Sequence, residues 1–144
     1  MTLNPECVGR RYRGTPQVID AVRARAFATA VGSDSGAAGG ELARLPSLAA
    51  VYLLAPVVAL LFADAEVGLD LRRLVHGEQS FALLRPPRDG ETLHPEGTIA
   101  AAEARRSLEV LRLELLATDA DGDAVTAGSS LFVIRGGPRG AHPS

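Results

Sequence analysis

Residues Pro46–Ala63 read PSLAAVYLLAPVVALLFA, the longest charge-free run in the chain. Alanine, leucine and valine dominate it, and Ala and Leu lose little side-chain freedom in a helix, so the run predicts one. Apolar residues occupy every face, and a helix of that kind is buried. Pro46 suits a first helical turn, while Ser47 beside it is an alternative cap. Pro56 removes one helical hydrogen bond and predicts a kink or a split. The length is borderline for a bilayer, which needs roughly 20 apolar residues. Amphipathic strands elsewhere need a core to cover. A soluble domain with a central buried helix accounts for both features, and a membrane span for only one.

The chain has 144 residues, net charge −2 and 47% apolar residues. That is the size of one domain with enough apolar material for a core. The near-neutral balance argues against a nucleic-acid surface, which wants a basic excess. One cysteine, Cys7, excludes an internal disulfide and fits a reducing compartment. The N-terminal stretch has no apolar core of a signal peptide, so the cytoplasm is expected. Residues 1–135 are expected to form one domain, with 136–144 as a flexible tail.

Outward from the central run, Val8–Arg13 reads as a short edge strand or arm with arginines around Tyr12. Thr15-Pro16 opens an amphipathic helix of about four turns that carries Val18, Ile19, Val22, Ala26, Phe27, Ala30 and Val31. Residues 32–40 are glycine-rich and read as a loop. They lack the lysine and the glycine spacing of a phosphate loop. From Leu74 the period becomes two. Val75, Gly77, Gln79, Phe81 and Leu83 share one face, and His76, Glu78, Ser80 and Ala82 the other. A strand over Thr98–Glu103 follows, then Leu108–Thr118, where a bulge near Val110–Leu111 would reconcile two parities. Asp119, Asp121 and Asp123 invite a calcium loop. Gly122 is misplaced for an EF-hand and no glutamate closes it, so a tight hairpin turn is the stronger reading. Ala124–Ile134 is the return strand. His94, placed in a turn, and His142 show no metal-ligand spacing. Helices ahead of strands imply an α+β fold on an antiparallel sheet.

Particular residues then point to a family. Val8-Gly9-Arg10-Arg11-Tyr12 resembles the start of MaoC-like dehydratases, and so does the pattern of Val18, Arg23, Phe27-Ala28 and Val31-Gly32. Gly68–Phe81, with Val75-His76-Gly77-Glu78-Gln79, continues to Arg85-Pro86-Pro87 and Asp89-Gly90-Glu91. This block resembles the N-terminal MaoC-like, or FAS1-type, dehydratase domain, over roughly residues 8–135. The resemblance implies a hotdog fold, a long helix wrapped by an antiparallel sheet, and pairs of hotdogs. It implies action without a cofactor on (3R)-hydroxyacyl or enoyl thioesters of coenzyme A or acyl carrier protein, in fatty-acid or polyketide chemistry.

Catalytic members hold an Asp and then a His in the loop after the first helix. The His exchanges a proton with the substrate, and the Asp positions the hydroxyl or water. Here Asp34 can stand at the acidic place, and no histidine follows it before His76. The chain therefore resembles the catalytically blank half of two-subunit dehydratases. No catalytic residue is assigned. Asp34, His76 and Glu78 are the candidates, and Asp34, Ser35, Pro46, Ser47 and Tyr52 are candidate substrate contacts. Three readings stand: a non-catalytic subunit paired with an Asp/His-bearing hotdog; a homodimer that binds an acyl thioester without turnover; and a self-sufficient dehydratase with a displaced base. No metal, nucleic acid or membrane span is expected.

Overall fold

A computed structural model describes residues 2–30 and 46–136. Pro56 shapes the central run. Having no N–H, it cannot bond back to the carbonyl four residues earlier. The preceding turn widens instead: Ala50–Leu54 is π-helical, and the Ala55 N–H bonds the Ala50 carbonyl five residues back. The α-helix Ala55–Ala63, here α2, continues from it directly. The expected kink or split is thus resolved as one wide turn in a continuous helix. A short 3₁₀ turn, Pro46–Leu48, leads into it. At the far end the Asp64 side chain accepts from the Glu66 N–H, and Ala65–Val67 forms a 3₁₀ turn. Gly68 then adopts φ +78, and a Cβ there would collide with the Thr2 carbonyl. Among the described residues no helix is long and apolar enough to cross a membrane.

Among the described residues six strands surround this helix: β1 Arg11–Arg13, β2 Gln17–Val18, β3 Leu74–Leu83, β4 Thr92–Arg105, β5 Leu108–Thr118 and β6 Ala124–Ile134. They run in the order β1-β4-β5-β6-β3, and β2 pairs with the start of β4. Every pairing is antiparallel. Leu53, Val57 and Leu61 of the helix are fully buried against Ile99, Leu111, Leu113 and Ile134 of the sheet. Each such aliphatic side chain stabilises by about 2 kcal/mol before entropy is counted. Gly97 lets the helix come close: a Cβ there would lie 2.5 Å from Val57 Cγ1. The α+β hotdog architecture expected from the sequence is what the chain adopts.

Several local expectations are corrected. The first helix, α1, is Ala21–Ala30. Residues 17–18 form β2 instead, because they pair with Leu93 and Thr92. The cap is Asp20, whose Oδ1 accepts from the Val22 N–H at 2.9 Å, and not Thr15. Val22 faces outward at 76% exposure, so the predicted apolar face is narrower than its pattern. His94 lies within β4 and not in a turn. β5 contains no bulge at Val110–Leu111. The fully buried Glu109 takes an inner-face position, and Val110 pairs with Val133 on the other side. Register shifts sit instead at Gly77 in β3, near Ala100 in β4 and at Val125 near the start of β6. The Asp119–Asp123 turn is the expected hairpin, with Gly122 at φ +84 and Asp119 Oδ1 accepting from the N–H groups of Asp121 and Asp123.

Candidate functional site

The π-helical turn divides two cavities. π turns inside helices recur at functional sites, because they aim side chains that an α-helix would bury. Val51 and Tyr52 line a cavity of about 240 Å³ beneath β2 and α1, with Ile19, Arg23, Phe27 and Leu48 among its walls. Ala50 and Leu54 line a second cavity of about 280 Å³, together with Ala55, Val58, Phe62, Leu74, His76 and Phe132. Apart from His76, every side chain of the second cavity is apolar. It lies between the helix and β3, the last strand of the sheet.

The bulge at Gly77 decides what faces this cavity. Directly paired residues of an antiparallel ladder share a face. His76 pairs with the buried Phe132, and Gln79 with the buried Ser130, so both point to the helix side. Glu78 pairs with Leu131 on the opposite face. The shared face expected for His76 and Glu78 is therefore corrected: the extra residue separates them. His76 Nε2 bonds Gln79 Oε1 at 3.0 Å, and Ser130 donates its hydroxyl to the same oxygen. The His76 ring lies 4.9 Å from that of Phe132. Sequence reasoning missed Gln79 and Ser130 as partners of His76. Its available signal was Gly77, since glycine inside a strand marks a bulge.

Tyr52 is buried, and its hydroxyl meets Thr126 Oγ1 at 2.7 Å. Burial pushes its phenol up, partly offset by the Thr126 bond. Ser47 is exposed in the turn that opens at Pro46. Asp34 and Ser35 lie outside the described residues. The structure thus brings Tyr52 and His76 to the two sides of one helical turn, while Glu78 stays apart from both.

Several other ionisable groups are held by structural partners. Hydrogen bonds from Tyr12 and Arg10 keep Asp64 below the usual carboxylate range, and Arg10 also reaches Glu66 at 2.7 Å. Arg85 bonds Glu91 and, at 3.1 Å, Asp119, and the Arg85 bond is the main cause of the lowered Glu91 pKa. Asp119, lowered chiefly by the Asp123 N–H, thus has both oxygens engaged. Glu109 accepts from Thr2 N, Thr2 Oγ1 and Leu3 N at 2.8–2.9 Å. Burial opposes its charge, yet those donors keep its carboxyl below the ordinary value. Cys7 is buried with its thiol against the Glu66 carbonyl.

A sheet wrapped around one buried helix, with cavities on either side of that helix's first turn, defines a hotdog protein. The chain belongs to the FAS1-like, dehydratase domain region family, whose model matches residues 6–127. It is 32% identical over 146 residues to a UPF0336 protein of Clavibacter michiganensis, covering 94% of this chain and 98% of that one. Among solved structures it resembles the MaoC-like dehydratase from Rhodospirillum rubrum, with TM-score 0.59, 19% identity, and 91% and 94% of the two chains covered. It also resembles the C-terminally truncated HadBC (3R-hydroxyacyl-ACP dehydratase) complex of Mycobacterium tuberculosis, with TM-score 0.63, 22% identity, and 88% and 96% covered. At such identities the solved structures show a shared fold.

Proposed function

We propose that this chain is the non-catalytic, acyl-chain-binding subunit of a two-subunit (3R)-hydroxyacyl-thioester dehydratase or enoyl-thioester hydratase. Its substrate is an acyl thioester of coenzyme A or of acyl carrier protein, in fatty-acid or polyketide chemistry in the cytoplasm. Residues 1–135 act as one domain, and no cofactor is required. The observation that supports this most is the placement of histidine. None precedes His76 in the chain. His76 is hydrogen-bonded to a neutral glutamine, and its neighbouring carboxylate, Glu78, faces the other way. A proton carrier with a carboxylate beside it is what the chemistry needs. A partner hotdog with Asp and His in its loop supplies both.

The acyl chain then lies in the apolar cavity between the helix and β3. That cavity adjoins the last strand of the sheet, which pairs only with β6 among the described residues. An unpaired antiparallel edge is a ready template for a second β3. Pairing there closes the cavity and places the partner's catalytic loop next to it.

The test is crotonyl-thioester hydration by the chain alone and after co-expression with an Asp/His-bearing hotdog partner. Turnover is expected only from the pair. Full-rate hydration by the isolated chain would overturn the proposal. A homodimer that binds a crotonyl thioester and stays inactive with every such partner would establish the binding-only alternative instead.

A further inference from the structure

The connections at the two ends of the sheet differ in charge. At one end lie residues 70–73 before β3, 105–107 at the β4–β5 hairpin, and 135–136 after β6. They carry Arg72, Arg73, Arg105, Arg106 and Arg135 against Asp70 alone. At the other end, residues 84–91 and 119–123 carry Asp89, Glu91, Asp119, Asp121 and Asp123 against Arg85 and Arg88. The overall charge of −2 conceals this segregation.

Register sets the arginines side by side. Leu74 pairs with Ile134, Ile134 with Glu109, and Glu109 with Ala104. Four strand ends therefore form one row, about 15 Å across at the usual strand spacing. The Arg135 N–H also bonds the Arg73 carbonyl at 3.0 Å. Apart from Arg73, whose side chain is 24% exposed beside Asp70, the guanidinium heads are accessible. Arg72 is 92% exposed and Arg105 65%, and each meets its carboxylate only at 3.4 Å. Exposed pairs of that kind contribute little and exchange readily. Among the described residues Arg106 and Arg135 form no ion pair. Of the other acids near this end, Glu103 meets only Arg105, Asp64 and Glu66 are held by Arg10, and Glu109 is buried and committed to Thr2 and Leu3.

Arg106 adds an independent sign. It has φ +50 in a two-residue hairpin loop, where Asn, Asp or Gly suits the backbone. Turn chemistry does not account for an arginine there. The chain has no lysine; its cationic side chains of fixed charge are all arginine, whose planar fork matches carboxylates and phosphates bidentately.

We propose that this arginine end is a docking surface for an acidic carrier protein that delivers the acyl thioester. The proposal rests on the subunit reading and selects the protein carrier over free coenzyme A. The arginines are spread across four strand ends, and neither cavity reaches them. A broad acidic surface fits that row, whereas nucleotide phosphates call for an enclosed site. Tyr52, at the start of the central helix, meets Thr126 at the acidic end of the sheet. Antiparallel pairing through β3 sets the arginine end of this chain beside the opposite end of its partner, the end at which a hotdog's central helix begins. A carrier seated on the arginines then stands at the mouth of the partner's site.

The test uses the reconstituted two-subunit enzyme with Arg72→Glu, Arg106→Glu and Arg135→Glu combined. The kcat/KM ratio for crotonyl-carrier protein against crotonyl-CoA is expected to fall about tenfold or more, through KM and with loss of the salt dependence. An unchanged ratio, or an equal fall with both substrates, overturns the proposal. A second variant separates docking from folding: Arg106→Gly relieves the positive φ and should be at least as stable, yet bind the carrier more weakly. If Arg106→Gly binds as well as the natural chain, the proposal fails. Fluorescence anisotropy of labelled crotonyl-carrier protein with this chain alone reads docking without turnover, so an error in the subunit reading shows separately.

Discussion

Replacing Gly97 with alanine probes how closely helix and sheet approach. The new Cβ would lie 2.5 Å from Val57 Cγ1, 3.2 Å from Leu113 Cδ1 and 3.3 Å from Leu115 Cδ2. All three neighbours are buried, and Val57 is 0% exposed. A β-branched side chain on a helix has one favoured χ1, so Val57 cannot swing its methyl away. Overpacking of this kind costs about 1–3 kcal/mol. Alanine also restricts the unfolded chain, which returns about 0.4–1 kcal/mol. Steric strain wins, and the net loss should be about 1–2 kcal/mol, lowering Tm by about 5 °C. Val57→Ala removes the obstructing methyl and alone should cost about 2 kcal/mol through the space it leaves. The double variant should be more stable than the sum of the singles by about 1 kcal/mol or more. Urea unfolding followed by circular dichroism, at one fixed protein concentration, measures all four chains. Unchanged stability in Gly97→Ala, or strict additivity in the double variant, would refute the close approach.

Three further outcomes are expected. Glu109→Gln should lower stability by about 1–3 kcal/mol at pH 7, because an amide cannot accept from Thr2 and Leu3 as the carboxylate does. Asp64, Asp70, Glu91, Glu109 and Asp119 all have folded pKa values below their ordinary 3.8–4.5. Their contribution is complete above that range and is lost as pH falls through the depressed folded values. Thermal melts from pH 7 to pH 2 should show acid destabilisation only below about pH 4.5, less steep in Glu109→Gln. His76→Ala in the reconstituted enzyme should keep kcat within about threefold, and a loss beyond about 100-fold would make His76 the displaced base. Ala55→Phe should fill much of the 280 Å³ cavity and shift the pair toward short acyl thioesters, measured as kcat/KM against chain length. An unaltered chain-length profile would place the acyl chain elsewhere.

Much of the fold was legible from periodicity. Pro46–Ala63 could only be central, because no other stretch is apolar on every face, and Leu111, Leu113 and Leu115 could only point inward together. Boundaries set by pairing were hidden. Gln17 and Val18 continue a helical pattern, yet the partners that claim them are Leu93 and Thr92, far along the chain. The site was the least legible part. A strand of strict period two puts His76 beside Glu78. One extra residue at Gly77 turns His76 toward Gln79, Ser130 and the apolar cavity.

By itself the sequence determined a buried helix within an antiparallel sheet, the family block around His76, and the lack of any histidine before it. Those are matters of composition and order along one chain. Only the tertiary structure decided that Pro56 widens a turn without breaking the helix, that Glu109 faces inward to hold Thr2 and Leu3, and that five arginines scattered from Arg72 to Arg135 share one end of the sheet. Each of those follows from which strands lie side by side, and that is fixed by contacts between residues far apart in the chain.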